Sequence, residues 1–167
     1  ALPVSPSRVY RLVNAIEEDL FRFSASSSKT IAYMPRKNQD HAKVVLSLLK
    51  AQSWFKESGW SFSPIHNKSL SEVASILRSS SLFLSFGYPE GFGLPLAEAI
   101  VSGCYVVGYD GIGGSEISEL CRPYNVFSSI PYRDFHRFLM SIKNALFEFD
   151  TSPQLPSRLQ AASSLVS

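Results

Sequence analysis

The 167 residues carry a net charge of +2 and are 45% hydrophobic, which suits one α/β domain with a real core and excludes a disordered tail. No run approaches the roughly 20 apolar residues of a membrane span, and no basic block marks a nucleic-acid surface. Residues 1–11 lack the basic patch and apolar stretch of a signal peptide, and Cys104 and Cys121 have no metal-ligand spacing, so a reducing cytoplasm is the expected setting.

In chain order, residues 9–13 read as a short strand, 14–21 as a turn and linker, and 24–28 as a polar loop. Residues 30–34 form an apolar strand ending at Pro35. Asp40 is placed to cap a helix running to about Ser58, with Val44, Val45, Leu48 and Leu49 at helical spacing, and Gly59 ends it. Residues 60–65 read as the next strand. Ser69 and Glu72 have the spacing of a capping box, with Val73, Ile76 and Leu77 behind it.

Residues 81–86 are a continuous apolar run, as in a strand buried on both faces. A loop with Gly87, Gly91 and Gly93 leads into a helix over 94–102, which Gly103 terminates. Residues 104–109 are another buried strand. Gly111, Gly113 and Gly114 form a second glycine-rich turn, and Ser115 is placed to cap a short helix. Residues 125–127 read as a last strand and 133–149 as an amphipathic helix. Pro153 and Pro156 then break the chain before a weak final helix. The alternation of strands and helices predicts a Rossmann-like, doubly wound parallel sheet.

The stretch from Pro89 to Ala99 carries the chemistry. It leaves the C-terminal end of a strand and opens a helix, the place where open α/β sheets bind ligands. Free N–H groups at a helix start attract anions, and the helix dipole reinforces them. Phe92, Gly93 and Leu94 offer such amides, beside Gly91; Pro95 has none. Glu90 and Glu98 bracket this cradle, and a carboxylate accepts two hydrogen bonds from neighbouring sugar hydroxyls. A glycine turn and acids placed to suit the helix dipole explain the same residues without a ligand.

Here the chain resembles the retaining GT-B glycosyltransferases of the glycogen-synthase and mannosyltransferase-like group. Their signature is a Glu, a Gly-Phe-Gly loop and a second Glu eight positions after the first, the places held by Glu90, residues 91–93 and Glu98. Residues 82–85 and 103–107 resemble the strands on either side of that signature. Residues 113–117 resemble the family's next Gly-Gly element, with one residue fewer before Glu116. The helix after Ser69 resembles the segment before it. Asn14, Ile16 and Phe21 resemble the linker that opens the second domain, with Ala15 and Glu17 replacing the usual Gly and Asp.

The resemblance implies the C-terminal half of a GT-B fold, with residues 1–22 as linker and first strand, 23–150 as the nucleotide-sugar domain and 151–167 as a helical tail. It implies a nucleoside diphosphate sugar as donor substrate, no cofactor and no metal. It implies a sugar or lipid-linked acceptor held by an absent N-terminal domain, and a cytoplasmic location that includes the inner face of the membrane. Glu98 would hold the ribose, Glu90 the reacting sugar, and Gly91, Phe92, Gly93 and Leu94 the sugar and phosphates. Arg36 matches a basic residue for the diphosphate; its partner five positions on is His41, so Lys37 or Lys43 takes that place. Ile65, His66, Asn67 and Lys68 match the region against the base.

Other residues carry plainer expectations. His41, His66 and His136 lack ligand spacing, Trp54 and Trp60 read as packing, and the order of Gly111, Gly113 and Gly114 does not fit a dinucleotide fingerprint. Two further readings stand beside transfer with retention: a non-catalytic binding or scaffolding module, and an inverting or epimerising relative of the same fold.

Overall fold

The computed structural model describes residues 16–167. The expected strand over 9–13, and Asn14, lie outside them. Five strands form one parallel sheet in the order β2-β1-β3-β4-β5: β1 (Thr30–Tyr33), β2 (Ser61–Pro64), β3 (Leu82–Ser85), β4 (Tyr105–Gly108) and β5 (Phe127–Ser129). Ile31 faces Phe62 on one side and Leu82 on the other, and Leu82 faces Tyr105. The strand order reverses after β2. Right-handed crossovers therefore send α1 (Gln39–Ala51) to one face and α3 (Leu70–Arg78), α4 (Leu94–Val101) and α5 (Ser115–Cys121) to the other. This is the doubly wound sheet that the alternation predicts.

Burial explains the sequence pattern. β3 and β4 are buried at every position, so they read as unbroken apolar runs. Leu82, Leu84, Val106 and Val107 are fully buried, each stabilising the fold by about 1.5–3 kcal/mol. β2 is an edge strand, and it can end on Pro64 because its outer N–H side needs no ladder partner.

Several boundaries differ from expectation. The first long helix stops at Ala51, where Gln52 turns extended; a separate short helix, α2 (Ser53–Glu57), follows. The cap position of α1 is Asn38, in the left-handed region at φ 48°, and Asp40 lies in its first turn. Val45 and Leu49 are buried with Ala42, while Val44 and Leu48 face solvent. Gly114, not Ser115, caps α5, and the Ser115 hydroxyl donates to Ile112 O at 2.7 Å. β5 begins at Phe127 because a 3-10 turn over Arg122–Tyr124 ends on Asn125 in the left-handed region.

Other signals match. Ser69 and Glu72 form the reciprocal capping box, which holds the Glu72 carboxyl down at about 2 through the Ser69 backbone N–H first and the Lys68 ammonium second. At Gly103, φ is +94°; its N–H donates to Ile100 O and that of Cys104 to Ala99 O, closing α4 as a glycine cap does. Cys104 and Cys121 are both free and buried, and burial pushes their thiols up to about 12 and about 11.

The helix α6 (Phe135–Thr151) buries Phe138, Ile142, Ala145 and Leu146, one helical face, and Asp134 caps it. The last helix, α7 (Leu155–Val166), is no loose tail. It lies on α4 and α5, buries Leu155, Leu159 and Ala162, and Ser163 donates to Val101 O at 2.7 Å. Phe21, from the segment that resembles a linker, is also in the core. No helix among the described residues is long and apolar enough to cross a membrane.

Candidate functional site

The reversal of strand order between β1 and β3 opens a crevice beyond their carboxyl ends, and a cavity of about 370 Å³ lies there. Arg36 and Lys37 reach it from the turn after β1. Ser85 and Gly87 reach it from the end of β3, and residues 90–95 with Glu98 from the loop and first turns of α4. The expected site residues Arg36, Lys37, Glu90, Gly91, Phe92, Gly93, Leu94 and Glu98 thus share one cavity.

Three loops are locked together around it. The Asn38 side-chain amide donates to Phe86 O (2.7 Å) and Tyr88 O (2.9 Å), tying the turn after β1 to the loop after β3. Glu90 N–H donates to Gly111 O at 2.8 Å, and Gly113 N–H donates to Glu90 O at 3.2 Å, joining the two glycine-rich loops. That contact requires glycine: a Cβ at Gly113 would stand 1.4 Å from Gly91 O. Gly93, at φ +81°, turns the chain into α4.

The polar groups differ in what they have left to offer. The Glu90 side chain is 7% exposed and forms an ion pair with Lys37, fitting where Gly87 has no side chain to block it. Arg36 is exposed and has no ion-pair partner among the described residues. The N–H groups of Phe92, Gly93 and Leu94 have no acceptor among them either. Glu98 is half-buried and likewise unpartnered; burial, and then the nearby Glu17 carboxylate, raise its pKa above the ordinary 4.5. Among the described residues the cavity therefore holds one free cation, a row of free donors and one unpaired carboxylate, a set suited to an anion joined to a polyol.

Other expected residues lie elsewhere. Lys43 is exposed, pairs with Asp40 at 3.5 Å and does not line the cavity, so of the two lysines only Lys37 stands beside Arg36. His41 is held in an aromatic cluster: its Nδ1 is 3.1 Å from the Tyr109 hydroxyl, and its ring is 5.1 Å from both Tyr132 and Phe135. Ile65, His66, Asn67 and Lys68 follow β2, outside the cavity wall. Ile65 is buried in the core and Lys68 pairs with Glu72 at 2.9 Å, which leaves His66 and Asn67 exposed. Among the described residues no three His, Cys, Asp or Glu side chains are grouped to hold a metal.

Comparison with known proteins follows the same line. Over 81% of its length the chain superposes on WaaG, a glycosyltransferase involved in lipopolysaccharide biosynthesis, with a TM-score of 0.59 and 14% identity. The fold is that of a GT-B Rossmann-like half. A 40-residue stretch is 42% identical to an alpha-1,6-glucosyltransferase of Actinobacillus pleuropneumoniae serotype 7 (strain AP76), 24% of this chain and 12% of that protein. The chain spans 42% of the WaaG chain. No family model matches it.

Sequence reading overlooked two supports of the site. Asn38 had a signal, since asparagine before a helix is a residue that enters the left-handed region and frees its amide. Ser85 had another: a hydroxyl closing an apolar strand. It is buried in the cavity floor and donates to Tyr109 O at 2.7 Å.

Proposed function

We propose that this domain binds a nucleoside diphosphate sugar and serves as the donor half of a retaining glycosyltransferase. One observation carries the reading: Arg36, the free amides of Phe92, Gly93 and Leu94, and the unpartnered Glu98 converge on a single cavity at the switch point of the sheet. Arg36 and the amides meet the diphosphate and stabilise it as it leaves, since charge that develops there finds donors already in place. Glu98 takes the ribose diol. Glu90, oriented by Lys37, faces the sugar. No metal is assigned to this site, because the guanidinium and the helix start supply the positive field. The base lies towards His66 and Asn67, and the acceptor belongs to a second domain. The cytoplasm is the assigned compartment, at the inner face of a membrane where the acceptor is lipid-linked.

The test is a titration of UDP, GDP and ADP, and of their sugar conjugates, followed by thermal shift and calorimetry. One base should be preferred, and the sugar conjugate should bind more tightly than the bare nucleotide. Glu90→Gln should leave the nucleotide's affinity intact while removing the sugar's increment. A domain that binds sugar nucleotides but supports no transfer when joined to its second domain is a scaffolding module. A product of opposite anomeric configuration from the donor assigns an inverting relative. No binding of any nucleotide overturns the reading.

A further inference from the structure

The helices α1, α2 and α6 form one layer on the sheet: α6 packs beside α1 and against β4, and α2 packs on the end of α1. Both long helices turn a buried stripe to the sheet, Ala42, Val45 and Leu49 on α1 and Phe138, Ile142 and Ala145 on α6. Their outer sides face solvent, yet they are not polar throughout. Val44, Leu48 and Ala51 line a shallow apolar hollow on α1. On α6, Met140 and Phe147 stand two turns apart on the outer side, and Phe147, at 68% exposure, is the most open large hydrophobic side chain among the described residues.

Charge is sorted between the two faces of the sheet. On α3, α5 and α7 and at their ends the cations are engaged: Lys68 pairs with Glu72, Arg122 with Glu119 and Arg158 with Glu148, and Arg78 donates to Leu20 O. On the α1, α2 and α6 layer, Lys50, Lys56, Arg137 and Lys143 are exposed and have no carboxylate partner among the described residues. The carboxylates of that layer are mostly taken. Asp40 pairs with Lys43, Asp150 with Lys29 and Glu148 with Arg158, and Asp134 caps α6, which leaves Glu57. Lys50 and Lys143 reach over the Phe62 and Trp54 rings, 5.8 and 5.7 Å from the ring centroids, so their stems cover apolar surface while the ammonium groups stay at the water.

We propose that this layer docks on a bilayer containing anionic phospholipid. Exposed apolar side chains by themselves would suit a second copy of the chain, but a two-fold contact would set these unpaired cations against their own copies. Cations by themselves would suit any polyanion, which gives Phe147 and Met140 nothing to enter. A bilayer interface meets both features: headgroup phosphates face the ammonium and guanidinium groups, and the apolar side chains enter the acyl boundary between them. The proposal uses none of the donor-site groups and stands whether or not the nucleotide reading does.

The test is flotation of the 167-residue chain with vesicles of phosphatidylcholine, made with and without about 30% phosphatidylglycerol, at about 50 and about 300 mM salt. Binding should require the anionic lipid and weaken at the higher salt. Lys50→Gln combined with Lys143→Gln should lower the partition coefficient about tenfold or more, since each charge near the surface is worth roughly fivefold. Phe147→Ser should lower it about fivefold or more on the same vesicles, while leaving binding to heparin, a polyanion with no apolar phase, unchanged. Leu120→Ser, a similar change at an exposed residue of α5 on the other face, should have no effect. All four positions are exposed, so the melting temperatures should stay near that of the unaltered chain. No binding to the anionic vesicles, equal binding to the neutral ones, a Phe147→Ser variant that binds as before, or a loss from Leu120→Ser matching that from Phe147→Ser would overturn the proposal. So would self-association without lipid that Phe147→Ser abolishes, which would assign the layer to a second copy of the chain.

Discussion

Glu98 is held where it is uncomfortable. It is half-buried, without a partner among the described residues, and has Glu17 nearby, so its pKa is raised by burial and then by like charge. A carboxylic acid with a raised folded pKa favours the fold most below its unfolded value of 4.5, and that contribution is lost as pH rises through the folded value. Glu98→Gln should therefore raise thermal stability above that folded value, where the native carboxylate is ionised against its surroundings, and leave it unchanged well below pH 4.5. Nucleotide binding should move the opposite way. Glu98→Ala should cost roughly ten- to a hundredfold in affinity, the loss of two hydrogen bonds to a diol, and wild-type affinity should fall as acid protonates the group. Calorimetry across pH checks both signs; equal affinity in a folded Ala variant removes Glu98 from the site. Lys37 has the converse role. Lys37→Met should destabilise by about 2 kcal/mol, less than the roughly 3–5 of a fully buried pair because Lys37 itself is 45% exposed. Adding Glu90→Gln to it should restore most of the loss, which denaturant melts of the double-mutant cycle would show.

At the scale of elements, the two glycine-rich loops behave as one part. Gly111 and Gly113 hold Glu90 through both its backbone groups, and the Gly113 Cα lies where a side chain would collide with Gly91 O. Gly113→Ala should therefore cost about 3 kcal/mol or more, roughly 6–12 °C in melting temperature for a domain of this size. Because the loop carrying the amides of Gly93 and Leu94 must shift with it, nucleotide affinity should fall as well; a variant of native melting temperature would show that the loops are not coupled. Sequence alone exposed each loop but not their union, since a contact between positions 91 and 113 leaves no local period. The same limit explains the helix boundaries. The capping box at Ser69 and the glycine stop at Gly103 are local chemistry and were legible. The break at Gln52 was not, because residues 39–58 keep helical spacing throughout and the packing of Phe55 on Phe62, stacked at 5.1 Å, belongs to tertiary structure. Val44 and Leu48 read as core for a related reason: their period is right, and only the sheet decides which edge of the stripe is covered.

For the whole molecule, strand order was the quantity that sequence could not supply, and it is what assembles the site. Alternating strands and helices predicted a parallel sheet; only the reversal after β2 brings Arg36 and Lys37 beside Glu90 and Glu98. The cavity so formed lies at the sheet's carboxyl edge, and the chain spans 42% of the WaaG chain. Transfer needs an acceptor placed against the reacting sugar and water kept away from it, which a second domain closing over this edge would provide. Orientation of two reactants is worth orders of magnitude in rate, and one open domain forgoes it. The 167-residue chain should accordingly bind a nucleoside diphosphate while giving no multiple-turnover transfer, with slow hydrolysis of the sugar nucleotide as its residual activity. Incubating it with its tightest-binding donor and a panel of sugar and lipid-linked acceptors, with products read by mass spectrometry, checks this. Robust turnover by the chain alone would mean that the described domain completes the catalytic site, and the two-domain reading would fall.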